Sequence, residues 1–185
     1  MTTDHGVLTT GQKPPLVTTY LEMRSPEQLR PKRCNDARFQ IRELKEPDWV
    51  SNRALYFAVG EQWQWVDKRP WTDEQWKEYT VTPELRTFAA YYDKLIAGYY
   101  ELQSDGEGGV EIAYFGLLPN FIGCGLGGAL LTSAIEEAWC RCGGSAPKRV
   151  WVHTCNRDHP QALANYQARG MVVYKVEKLN LRTED

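Results

Sequence analysis

The stretch that most restricts the fold is LLPNFIGCGLGG, residues 117 to 128, because a strand-like run meets four glycines and passes straight into a helix. Leu126, Leu130, Leu131, Ala134, Ile135, Ala138 and Trp139 recur at helical spacing, with Thr132, Ser133, Glu136 and Glu137 on the other side. Glycines ahead of a helix let consecutive backbone amides face one anion, and the helix adds its positive end. GCGLGG also spells GxGxxG, the dinucleotide fingerprint. That reading fails on context, since the fingerprint needs its strand to run directly into the first glycine and an acid about 20 residues later. Here Pro119 to Ile122 intervene, and the next strand ends in VHTC with no acid at its tip. A chain of 185 residues also leaves too little after Gly128 for a doubly wound sheet. The loop is therefore read as a cradle for a different pyrophosphate.

The rest of the chain reads as one domain. LVTTYLEM alternates Val17, Thr19, Leu21 and Met23 against Thr18, Tyr20 and Glu22, as a strand with one buried face does. A basic, Pro-containing connector spans residues 24 to 37, and FQIREL repeats the strand signal. Helices are expected from Pro47–Asp48 to about Val59 and from the Thr72 cap through DEQWKEY. TFAAYY, LIAGYYELQ and VEIAYFGLL form an antiparallel meander around the Asp93–Lys94 turn and the SDGEGG break. The long helix is expected to stop at Gly143–Gly144, and RVWVHT, HPQALANYQAR and MVVYKVEKL follow as strand, helix and strand. The 22 basic and 24 acidic residues leave a net charge of −2, with no electrostatic footprint for nucleic acid or anionic membrane. No apolar run reaches the length of a membrane span, and the five cysteines show no CxxC spacing. These features suggest a cytoplasmic protein with reduced thiols.

AYFGLLPNFIGCGLGGALLTSAIEEAW resembles motif A of the GNAT superfamily, the acyl-CoA-dependent N-acyltransferases, and HPQALANYQARGM resembles that family's fourth-helix motif. The resemblance implies an α+β fold, with a central mixed, mostly antiparallel sheet, helices on both faces, and a splay between the fourth and fifth core strands. It divides the chain into a flexible start (1–15), an added strand and connector (16–38), one acyltransferase domain (39–181) and a tail (182–185). Acetyl-CoA would be the acyl donor, entering the splay. The backbone of Leu117 and Leu118 would pair with its pantetheine arm. Amides of Gly123, Cys124, Gly125, Leu126, Gly127 and Gly128 would hold the pyrophosphate. Ile122 and Cys124 stand where the family usually carries Arg or Gln and a basic residue, so the loop must bind with backbone. His159 takes the place of a common Asn near the cofactor's arm. The family also closes with a two-strand hairpin, whereas 15 residues follow Gly170, so LVTTYLEM is expected to fill the open edge, in its own chain or in a homodimer.

Acyl transfer to an amine needs the amine deprotonated and the leaving thiolate protonated. By resemblance Glu111 is the general base, with Glu101 a rival on the preceding strand, and Tyr166 approaches the CoA sulfur. Cys124 could serve as a nucleophile only where phosphate would sit. His153, Cys155, Asp158 and His159 have no second cluster to complete a metal site, so no metal is expected. Trp63, Trp65, Trp71 and Trp76 fall in the stretch that by resemblance lines the acceptor pocket, with Glu61, Asp67, Asp73 and Glu74 nearby. Aromatic faces beside carboxylates favour a cationic amine as acceptor, and Trp63, Trp65, Trp71 and Glu101 are the expected substrate contacts. The function implied is N-acetyl or short-acyl transfer to a primary amine of a small molecule or peptide. The competing possibility is a CoA-binding sensor that kept the fold without the chemistry.

Overall fold

A computed structural model describes residues 14–63, 65–140 and 146–180. The expected stop at Gly143–Gly144, Cys142, the first 13 residues and the tail lie outside the described residues. The elements are β1 (Leu16–Met23), β2 (Phe39–Glu43), α1 (Trp49–Gly60), α2 (Asp73–Thr80), β3 (Leu85–Tyr92), β4 (Leu95–Ser104) and β5 (Gly109–Leu117). These are followed by α3 (Gly127–Trp139), β6 (Arg149–Cys155), α4 (Ala162–Ala168) and β7 (Val172–Leu179). Short 3-10 turns cover Pro26–Gln28, Glu61–Trp63 and Pro119–Phe121.

Local chemistry accounts for most boundaries. Asp48 caps α1 by accepting from the Ser51 amide at 3.0 Å, and Thr72 and Gln75 form a reciprocal capping box on α2. Asp93 and Lys94 both take positive φ, 48° and 69°, the mirror-image turn whose twist suits a two-residue hairpin between β3 and β4.

The seven strands form one sheet in the order β2-β3-β4-β5-β6-β1-β7, antiparallel throughout except for the β5–β6 pair. This is the mixed, mostly antiparallel sheet with helices on both faces that was expected. One layer packs α3 and Tyr166 of α4 on Leu21, Met23, Tyr100, Leu102 and Ile112. The other packs Leu55, Tyr56 and Val59 of α1 and Trp76 of α2 on Ala89 and Tyr99. Adjacent residues Tyr99 and Tyr100 thus enter opposite layers, as strand alternation requires. Leu130, Leu131 and Ile135 of α3 are fully buried, each contributing about 1.5–3 kcal/mol of apolar burial. No helix among the described residues is long and apolar enough to cross a membrane.

The N-terminal strand differs from expectation in its place. It does not cover an edge; β1 lies inside the sheet of its own chain, paired along its length with β6 on one side and β7 on the other. Its one-faced alternation does not hold at its C-terminal end, where both faces are covered. Glu22 is buried beside Leu21 and Met23, and it pairs with Arg24 at 2.6 Å and Arg149 at 3.6 Å.

Candidate active site

The site begins where the sheet opens. β5 and β6 pair only over Gly109–Glu111 and Arg149–Trp151, although both strands continue well beyond. Two causes are visible. Ala113 is the extra residue of a bulge, since Glu101 faces Tyr114 while its neighbour Leu102 faces Ile112, and a bulge bends its strand. β6, meanwhile, satisfies its hydrogen bonds against β1 as far as Cys155. The strands therefore separate and leave a cleft of about 1160 Å³. Leu118 donates its amide to Ala97 at 2.8 Å, which spends that group on the sheet, and alternation turns the Leu117 amide toward the gap. Of the expected pantetheine pair, Leu117 lines the cleft and Leu118 packs in the α1–α2 layer.

One end of the cleft is the glycine loop. Gly123 and Gly125 take φ of 84° and 79°, which only glycine adopts without strain, and they curl the chain after the Pro119–Phe121 turn. The first intrahelical bond of α3 runs from Leu130 to Leu126, and no side chain caps the N-terminus, leaving the amides before it without helical acceptors. Gly123, Gly125, Gly127 and Gly128 line the cleft; Cys124 is exposed outside it, and Leu126 is buried beneath. Two basic side chains lie beside the loop, where Ile122 and Cys124 carry no charge. A methyl at Gly128 would clash with a guanidinium nitrogen of Arg169 and with Cδ of Lys32. Both residues line the cleft, and neither makes an ion pair among the described residues. Lys32 arrives on the N-terminal connector, held by its own amide on the Thr132 hydroxyl at 2.9 Å. In the sequence this connector is a basic link, and the lysine's spacing from the loop, nearly a hundred residues, hides the contact.

The other end carries titratable groups. His153 Nδ1 lies 3.0 Å from Glu111 Oε1, and His153 lines the cleft whereas Glu111 does not. The Glu111 carboxylate pulls the imidazole pKa above its ordinary value. Asp67 accepts from Tyr56 at 2.8 Å and from the Tyr114 hydroxyl, and with Asp158 it adds negative charge to the wall. Tyr166, in the last turn of α4, lines the cleft with its ring against Phe115, and burial pushes its phenol above the ordinary range. Trp63 meets His159 edge-on with ring centres 5.0 Å apart, joining the α1 side of the cleft to the β6–α4 loop. Trp65 lines the same wall.

Trp71 and Glu101 do not reach it. Glu101 has no exposed surface; it accepts from Asn52 at 3.0 Å and from the Tyr79 hydroxyl, with Lys68 Nζ at 3.7 Å. Trp71 packs on Trp76 and Tyr79. The ammonium of Lys68 sits among these rings, 3.2 Å from the centre of Tyr79, 4.2 Å from Tyr114 and 5.0 Å from Trp71. The aromatic cage expected for a substrate cation thus already holds one of the chain's own. Burial lowers the Lys68 pKa to about 8 and raises that of Glu101. Among the described residues no three metal-ligating side chains converge; Asp158 instead accepts from Thr154 and the Cys155 amide.

This geometry has a counterpart among known proteins. The model of the acetyltransferase (GNAT) family matches residues 40–171, which is most of the chain. The protein belongs to the GNAT acetyltransferase family. Among solved structures, a GCN5-related N-acetyltransferase from Sphaerobacter thermophilus is similar at 22% identity and a TM-score of 0.65, covering 91% of this chain and 51% of that one. A functionally unknown conserved protein from Staphylococcus epidermidis aligns at 16% identity and a TM-score of 0.60, over 89% of this chain and 60% of its own. An aminoglycoside acetyltransferase from an uncultured soil metagenomic sample aligns at 16% and 0.57, over 72% and 88%. The chain spans about half to three fifths of the first two, and at these identities the likeness is one of fold. No curated protein matches the sequence. β1 precedes the residues that the family model matches, and it occupies the interior place between β6 and β7.

Proposed function

We propose that this GNAT protein is an N-acyltransferase that moves an acetyl or short acyl group from acyl-CoA to a primary amine by direct attack. The observation that carries the reading is the β5–β6 cleft, which runs from an uncapped, glycine-lined helix start to a wall bearing His153, Asp67 and Tyr166. At the anion end, the pyrophosphate of acetyl-CoA lies against the amides around Gly123, Gly125, Gly127 and Gly128, with Lys32 and Arg169 as counter-charges. The Leu117 backbone faces the pantetheine arm, and Tyr166 stands where the thiolate leaves. Glu111 takes part in removing the amine's proton.

The acceptor is a cationic primary amine of a small molecule or peptide. Its ammonium meets carboxylates rather than the aromatic cage, because Lys68 fills the cage while Asp67 and Asp158 line the cleft. The likeness to an aminoglycoside acetyltransferase agrees with a polyamine acceptor. No metal takes part, and the chain acts in the cytoplasm.

Calorimetric titration tests the first half of the reading. Acetyl-CoA should bind and NAD should not, and heat from NAD alone would refute the cleft assignment. Binding of acetyl-CoA with no thiol released in the presence of any amine would favour a CoA sensor instead.

A further inference from the structure

His153 lines the cleft, and the Glu111 carboxylate that contacts it does not. Glu111 stands on β5 at the last paired position, opposite Trp151, and His153 lies two residues further along β6, where the strands have parted. An ionised carboxylate can only accept hydrogen bonds, so the 3.0 Å contact holds a proton on Nδ1 and leaves Nε2 with its lone pair. The back of the ring is supported by β1, whose Tyr20 pairs with His153 in register and has its ring centre 5.9 Å away. The imidazole is therefore oriented by one strand, backed by another, and exposed to the cleft, whereas the carboxylate is not among the lining groups.

We infer that His153, oriented by Glu111, is the group that takes the proton from the acceptor amine, and that Glu111 is its positioning residue. This rests on the acyltransferase reading above and reassigns the step that would otherwise fall to Glu111. Nε2 accepts one proton from the ammonium. The freed nitrogen pair forms the bond to the thioester carbonyl carbon, and the carbon–sulfur bond breaks. A second proton from that nitrogen passes to the leaving thiolate, and the proton on His153 goes to solvent. One amide, one thiol and one released proton result.

The charged and titratable groups facing His153 are Glu111 on β5, Asp158 after β6 and Asp67 between α1 and α2, with the Tyr20 phenol on β1. All three carboxylates favour the imidazolium, so the free base predominates only at a pH above the ordinary imidazole value. Activity should rise with pH through that raised value.

The test is the pH profile of amine-dependent thiol release, from pH 5.5 to 9, for wild type, His153→Gln and Glu111→Gln. Melting temperature and acetyl-CoA binding are measured on each variant to show that it folds and loads. His153→Gln should lower kcat/KM for the amine roughly 100-fold and abolish the imidazole limb of the profile. Glu111→Gln should keep that limb and move it to lower pH, which a merely structural carboxylate would not do. If wild type turns over and folded His153→Gln keeps the wild-type limb and rate, the inference is overturned alone. If wild type releases no thiol with any amine, the acyltransferase reading falls, and the inference with it.

Discussion

The ammonium of Lys68 lies 3.2 Å from the centre of the Tyr79 ring while the Tyr79 hydroxyl bonds Glu101, so one phenol contacts both members of a buried ion pair. This arrangement joins α2 to β4 through charge in a layer otherwise built of aromatic rings. Removing one partner leaves the other charge buried alone, which costs about 3–5 kcal/mol. Lys68→Met should therefore destabilise strongly in urea denaturation. Lys68→Met combined with Glu101→Gln should recover part of the loss. A double variant that loses the sum of the two single losses would mean that the pair is not coupled.

The anion end makes a separate prediction. Lys32→Ala and Arg169→Ala should each raise the KM for acetyl-CoA roughly 5–10-fold, about 1–1.4 kcal/mol, with kcat little changed. The wild-type KM should also rise with salt, because exposed charge pairs are screened, and the double variant should be less salt-sensitive. Steady-state kinetics at two ionic strengths measure both effects.

The N-terminal strand carries stability that its position outside the family match would not suggest. Leu21 and Met23 are fully buried, and among the described residues β7 pairs with β1 alone. Leu21→Ala should cost about 2–5 kcal/mol. Deleting residues 1–25 should strip β7 from the sheet and lower the melting temperature sharply, and a deletion variant as stable as wild type would contradict the topology.

The His153–Glu111 contact also links stability to pH. The native imidazole pKa is raised, so the folded state binds more protons than the unfolded chain above the ordinary value near 6.5. The contact's contribution is full below that value and is lost as pH rises through the native one. Denaturation midpoints of His153→Gln and wild type should therefore converge on going from pH 6 to pH 9.

Much of the architecture is legible without coordinates because it is written in short-range chemistry. Thr72 with Gln75, the Asp93–Lys94 turn and the apolar stripe of α3 each determine an element locally. The glycine loop is legible for the same reason. What spacing hides is packing between distant segments. A run holding four tryptophans, several acids and Lys68 looks like a pocket for an outside cation. Only the packing of α1 and α2 on β4 shows that the resident lysine takes the cage, carrying Trp71 and Glu101 out of the cleft. Lys32 beside Gly128 and Glu111 beside His153 are likewise products of the fold, each joining residues far apart in the chain.

The most direct test of the central claim is the product itself. Purified protein is incubated with acetyl-CoA and a panel of monoamines, polyamines and lysine-containing peptides, and thiol release and amine mass are followed together. Thiol release should depend on the amine and be matched mole for mole by an amine 42 mass units heavier, for at least one cationic acceptor. Saturable acetyl-CoA binding with no acylated amine from any member of the panel would contradict the claim.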